Sequence, residues 1–149
     1  MLERYSREEM LKVWTDESMY KFWLDIEIAV CEAYGDLGKI PTKVVERIRE
    51  KADFDIERIK ELEKQTQHDM LAFLSCVAEY VDNDDSRFIH LGLTSSDVKD
   101  TALSMQMKKS GVILDSCINE LLVALKEMAI EHKDTVCIGR SHGVHAEPT

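Results

Sequence analysis

Proline is almost missing from this chain: Pro41 and Pro148 are its two examples in 149 residues. Proline removes a backbone donor and clashes with the preceding helical turn, so its scarcity leaves long helices unobstructed. Stretches that alternate with period two are also lacking, and no segment supports a strand. No apolar run approaches the ~18 residues of a membrane span. The start, Met1-Leu2-Glu3-Arg4-Tyr5-Ser6, carries an acid where a signal peptide would be apolar. By elimination these absences point to a cytoplasmic address and no membrane contact. A basic excess is missing too. The net charge of −10 argues against a nucleic-acid partner, which needs a concentrated basic face. A small anionic ligand stays open, because a few local arginines can outweigh distant acids. Cys31, Cys76, Cys117 and Cys137 include no close pair, so buried reduced thiols are expected rather than a disulfide framework or a metal site.

What the chain does have is helical patterning and enough apolar residues, 44%, to build one core. Ser6 with Glu9 fits a capping box opening a short helix through Trp14. Thr15 or Asp16 caps a longer helix, in which Phe22, Ile26, Ala29, Ala33 and Leu37 step by three and four and Trp23, Val30 and Tyr34 widen the stripe. Gly38 is placed to stop it, and Pro41 to start the next helix, with Val44, Val45 and Ile48 inward. Another helix is expected from about Asp55 to Lys64, burying Ile56, Ile59 and Leu62. The segment Asp69 to Val81 follows, capped by Asp69, and then a polar loop over 82–86. The last helix is expected from near Ser96 to about Lys133, roughly 55 Å at 1.5 Å per residue. Leu114, Cys117, Leu121, Ala124 and Met128 form a heptad seam on it, with Ile118, Leu122, Leu125 and Ala129 as a second seam alongside. Two seams mean a helix inside a bundle, with partner helices from oligomerisation or from further chain. The expected fold class is all-α, with an N-terminal helical domain over 1–95 and the start of a helical-bundle domain over 96–149.

Chemistry concentrates at the end of the sequence, in Gly139-Arg140-Ser141-His142-Gly143-Val144-His145-Ala146-Glu147-Pro148-Thr149. Glycines permit close backbone approach to a ligand, and a histidine can exchange a proton near neutral pH. Cys137, His142 and His145 are also metal-ligand types, but neither Cys-x-x-Cys nor His-Glu-x-x-His spacing is present. Earlier in the chain, Arg4 offers a planar fork of donors with Tyr5 beside it. His68 and Asp69 stand at a helix junction, where capping alone accounts for Asp69 but leaves His68 unexplained. Thr94-Ser95-Ser96-Asp97 precedes the long helix, where hydroxyls can cap it and free amide N–H groups can attract an anion.

These segments, Arg4-Tyr5, Gln67-His68-Asp69, His90-Leu91-Gly92-Leu93-Thr94-Ser95-Ser96-Asp97 and the terminal string, occur in the order found in adenylosuccinate lyases of the fumarase/aspartase superfamily, which this chain resembles. Ser141 alone departs from that family's terminal motif, where a threonine stands, and it keeps the hydroxyl. The resemblance implies β-elimination of fumarate from adenylosuccinate and from the carboxamide ribonucleotide SAICAR, without metal or organic cofactor. It implies that Arg4 and Tyr5 bind the substrate phosphate and that Gln67, His68 and Asp69 line the pocket. Thr94 and Ser95 would hold a carboxylate or other polar part of the substrate. His142, beside Ser141, would be the proton donor, and His90 an auxiliary. It further implies a homotetramer, and a catalytic base on a Gly-Ser-Ser loop that these residues do not contain, so that the 149-residue chain alone is expected to be inactive. His145 is expected to be a satisfied structural histidine. Argininosuccinate lyase, another fumarate-releasing relative, is the alternative within the superfamily. A helical oligomerisation module without ligand is the alternative outside it.

Overall fold

The computed structural model describes residues 3–149 and is helical throughout except for one hairpin. A 3-10 turn, Glu3–Tyr5, leads into α1 (Glu8–Val13), α2 (Asp16–Asp36), α3 (Thr42–Lys51), α4 (Ile56–Thr66), α5 (Asp69–Tyr80), the single-turn α6 (Asn83–Ser86) and α7 (Ser95–Glu131). Strands β1 (Ile138–Ser141) and β2 (Val144–Pro148) close the chain. Contacts divide it within α7 into two compact units, Met1–Gly111 and Val112–Thr149.

The helix boundaries follow from local chemistry. Thr15 caps α2 by accepting from the Ser18 N–H at 3.1 Å, and Gly38, at φ 67°, provides the left-handed residue after its end. Asp55 caps α4 through the Arg58 N–H at 2.6 Å. Arg7, one residue after the expected Ser6, is the N-cap of α1. The stretch expected as a polar loop over 82–86 contains α6. Its Asp85 is buried at 4% exposure and held by both Arg47 Nε, at 2.6 Å, and Arg47 Nη2, at 2.8 Å. A carboxylate with a bidentate guanidinium partner can leave water, which a reading by residue polarity does not anticipate.

The core of the first unit gathers around Phe73 of α5. Tyr20 stacks on it at 5.7 Å, and Trp23 meets it edge-on at 5.4 Å. Ile40, Ile48, Ile59, Met70, Val77 and Val98 are buried around this cluster. The buried line of α2 is Tyr20, Trp23, Leu24, Glu27 and Cys31. The expected stripe, with its widening at Trp23, Val30 and Tyr34, is centred roughly 105° round the helix from that line and meets it at Trp23, at 100° per residue. Phe22 and Ile26 reach the margin of the core, but Ala29 and Ala33 are exposed and Leu37 is 70% exposed. This helix is apolar around most of its girth, so its pattern does not rank one face over another. Glu27 stands in the middle of the true one.

Two cysteines, Cys31 and Cys76, are buried as expected, whereas Cys117 is half-buried and Cys137 exposed; none of the four is in a disulfide. Burial pushes the Cys31 thiol up to about 11, so it stays protonated, and it donates to the Phe88 carbonyl at 3.5 Å. No helix among the described residues is long and apolar enough to cross a membrane.

The turn between α6 and α7 contains Gly92 at φ 74°, where an added Cβ would lie 2.7 Å from the Tyr34 hydroxyl oxygen. Gly92→Ala combines left-handed backbone strain with a steric clash. We expect it to cost roughly 1–3 kcal/mol, read as a lower melting temperature; an unchanged midpoint would contradict the tight fit of this turn.

Candidate active site

The sequence motifs of the first unit mark its helix junctions. Gln67 ends α4 in the left-handed region at φ 51°, with its side-chain amide donating back to the Lys64 carbonyl at 2.9 Å. His68 is the N-cap of α5: its Nδ1 accepts from the Leu71 N–H at 3.3 Å. The capping role expected of Asp69 therefore belongs to His68, whose presence capping did explain after all. Asp69 sits one residue on, accepting from the Met70 N–H and from Lys99 Nζ, each at 2.7 Å.

That last contact joins two motifs. Lys99 lies on the second turn of α7, so the Asp69–Lys99 pair brings Gln67-His68-Asp69 beside Thr94-Ser95-Ser96-Asp97. Burial acts to raise the Asp69 pKa, but the Lys99 hydrogen bond and the Met70 N–H outweigh it and hold the carboxyl below its usual range. A depressed carboxyl contributes stability above its unfolded pKa and loses it as pH falls through the folded value. Lys99→Met removes that contribution. The variant should therefore melt below wild type at neutral pH, by no more than the ~1 kcal/mol of a partly exposed pair. The gap should narrow as pH falls below about 4, near the unfolded Asp value. A gap that stays constant or widens on acidification would refute the coupling.

The Thr94–Asp97 spacing works in the reciprocal sense of a capping box, with the Asp97 carboxylate accepting from the Thr94 N–H at 2.8 Å. Thr94 itself is exposed and Ser95 half-buried. His90 precedes them in the left-handed region, at φ 63°. It is tied to α2 by Glu27, which accepts from the His90 N–H at 2.7 Å and contacts its ring Nδ1 at 2.6 Å. The Arg4 guanidinium lies 4.7 Å over the Tyr5 ring, Tyr5 is 75% exposed, and no hydrogen bond among the described residues links either to the other motifs.

In the second unit the terminal motif forms a hairpin that pattern reading did not anticipate. Arg140 faces His145 and Ser141 faces Val144 across the ladder. His142, at φ 46°, and Gly143, at φ 81°, make the two-residue turn. Positive φ at both central positions is the hairpin turn whose twist matches the strands. A bulge falls between Ile138 and Arg140. It contains Gly139, where a Cβ would sit 3.0 Å from the Glu147 carbonyl oxygen. The turn places His142 and Ser141 at the tip, both exposed. A cleft of about 310 Å³ is lined by Ile138, Gly139, Arg140, Gly143, Val144 and His145. His145 is exposed rather than packed, against expectation. No group of three or more His, Cys, Asp or Glu positioned to hold a metal exists among the described residues.

Gln67, His90 and His142 are the non-glycine residues with positive φ among those described, and all three belong to the motifs. Left-handed backbone at such residues is uncommon and costs free energy. Such outliers cluster where geometry serves a site. Sequence reasoning missed Glu27 and Lys99, because each is one charged residue among many until a partner from a distant segment singles it out.

Residues 3–149 match the family described as Lyase, and the chain belongs to that family. It is 50% identical over 149 residues to the adenylosuccinate lyase of Bacillus subtilis (strain 168), covering 100% of this chain and 34% of that protein. It is also 50% identical to the adenylosuccinate lyase of Aquifex aeolicus (strain VF5), covering 99% of this chain and 34% of that one. The chain thus spans about a third of the length of the curated relatives it matches. A fumarate lyase from Mesorhizobium sp. BNC1 superposes with a TM-score of 0.87 at 23% identity, covering 99% of this chain and 36% of that one, a likeness of fold.

Proposed function

We propose that this chain is the N-terminal part of an adenylosuccinate lyase, which eliminates fumarate from adenylosuccinate to give AMP and from SAICAR to give AICAR. The carrying observation is 50% identity along the whole chain to proteins of that name. The hairpin that presents His142 agrees with it. In the elimination, a base takes the proton from the carbon next to a carboxylate, those electrons form the double bond of fumarate, and the C–N bond breaks toward nitrogen. His142 gives the departing nitrogen its proton, with Ser141 beside it. Arg4 and Tyr5 bind the substrate phosphate, Thr94 and Ser95 a carboxylate. Gln67, His68 and Asp69 line the pocket, with Lys99 setting the Asp69 charge. The base comes from a serine loop outside these residues, and the chemistry uses no metal or organic cofactor.

In the same reading, residues 1–95 form the N-terminal domain and 96–149 begin the bundle of a cytoplasmic homotetramer with no nucleic-acid or membrane partner. Leu114, Leu121, Leu122, Leu125 and Met128 of α7 are each more than half exposed in this chain, an apolar face suited to partner helices. The decisive assay measures the absorbance change of AMP formation by the full-length protein from adenylosuccinate, with argininosuccinate run in parallel. Fumarate release from the purine substrate alone is expected; release from argininosuccinate alone would overturn the assignment.

A further inference from the structure

We infer that Glu27 is a positioning residue for this reaction, acting through His90 on the turn that carries Thr94 and Ser95. The inference rests on the lyase reading above. Glu27 is 1% exposed in the middle of α2. Its hydrogen-bond and ion-pair partners among the described residues are all on His90, the backbone N–H at 2.7 Å and the ring Nδ1 at 2.6 Å. A buried carboxylate is costly unless its lone pairs are satisfied. Here one residue satisfies both oxygens, and that residue holds a left-handed backbone at φ 63°.

The contact at Nδ1 requires a proton between the ring and the carboxylate. An Nδ1–H donating to Oε1, while the His90 N–H donates to Oε2, meets both requirements. The ring is then fixed in rotation and tautomer, the device by which a second group orients a functional histidine. Its other nitrogen, Nε2, is left for a ligand, and the side chain is 20% exposed. Four residues on, Thr94 begins the segment whose N–H is bound by Asp97. One turn along α2, Cys31 binds the Phe88 carbonyl. The helix therefore grips this turn at two points, and the charged one is Glu27. The ligand class is a hydrogen-bond donor of the substrate, accepted by the Nε2 lone pair, beside the hydroxyls of Thr94 and Ser95.

The test is kinetic, in the full-length enzyme. Turnover of adenylosuccinate by wild type checks the lyase reading separately from the role of Glu27. In Glu27→Gln, the amide oxygen still accepts from the His90 N–H, but its NH2 donates to Nδ1, which moves the ring proton to Nε2 and turns the ligand-facing nitrogen from acceptor to donor. Losing a buried charged hydrogen bond should raise KM about tenfold or more, with kcat changed less than about threefold. His90→Ala should raise KM similarly, and the double variant should be no worse than His90→Ala alone, because both act through one ring. A folded Glu27→Gln enzyme with wild-type KM would overturn the inference. So would a Glu27→Gln effect that persists undiminished when His90 is alanine. Should Glu27→Gln not fold, His90→Ala decides: a raised KM upholds the role and an unchanged KM ends it.

Discussion

In the full-length enzyme, His142→Ala is expected to lower turnover of adenylosuccinate by about 10²–10⁴, the usual worth of a general acid, while leaving ligand binding largely intact. The nitrogen that departs when the C–N bond breaks carries the electron pair of that bond, and without a proton it is a poor leaving group. His142 is held at the hairpin tip by a turn with positive φ at both of its central residues, so its ring is presented by backbone geometry rather than by packing. Alanine in that turn also strains the backbone, which makes His142→Asn the necessary companion. Asparagine tolerates left-handed φ better than most residues but has no group that donates and regains a proton near neutral pH. Both variants should lose turnover to a similar degree and still bind AMP in calorimetry. Turnover within about fivefold of wild type in either would end the assignment of His142 as the acid.

The second large effect concerns these 149 residues as an isolated polypeptide, which is expected to release no detectable fumarate. Proton abstraction and proton donation act on opposite ends of one elimination, so on the proposed reading, with His142 as acid and the base on a serine loop elsewhere, the polypeptide lacks half of the chemistry. The exposed leucines of α7 add a second deficit, because helices that cover them are needed to build a bundle. Self-association, or binding of a dye for exposed apolar surface, should accompany the lack of turnover. The assay incubates purified polypeptide, free of host lyase, with adenylosuccinate. Sustained AMP formation that tracks the polypeptide through purification would place a base among these residues.

Capping hydroxyls, helix periods and the order of motifs are local properties, and they were legible in the chain alone. Thr15 caps α2, Gly38 ends it, α4 lies close to its expected span, and the long helix runs from Ser95 to Glu131, close to its expected limits. The motif strings are local too, and the non-glycine residues with positive φ among those described, Gln67, His90 and His142, all fall in them. Tertiary structure decided what depends on partners far away in sequence. The expected stripe on α2 held only along its edge at Trp23, because α2 is apolar over more than half its girth, and the approach of Phe73 selects the face of Tyr20 and Trp23. Glu27 drew no reading from the pattern, and Asp85 fell in an expected polar loop. They are buried because His90, 63 residues on, and Arg47, 38 residues back, satisfy their oxygens. Lys99 was one lysine among many until folding set it against Asp69. The hairpin lies between these cases: His142-Gly143 is a local turn, but a histidine in a left-handed position is rare enough that pattern alone did not announce it. Burial of charge, choice of helix face and pairing of motifs are settled by distant contacts, which the spacing of residues along the chain does not encode.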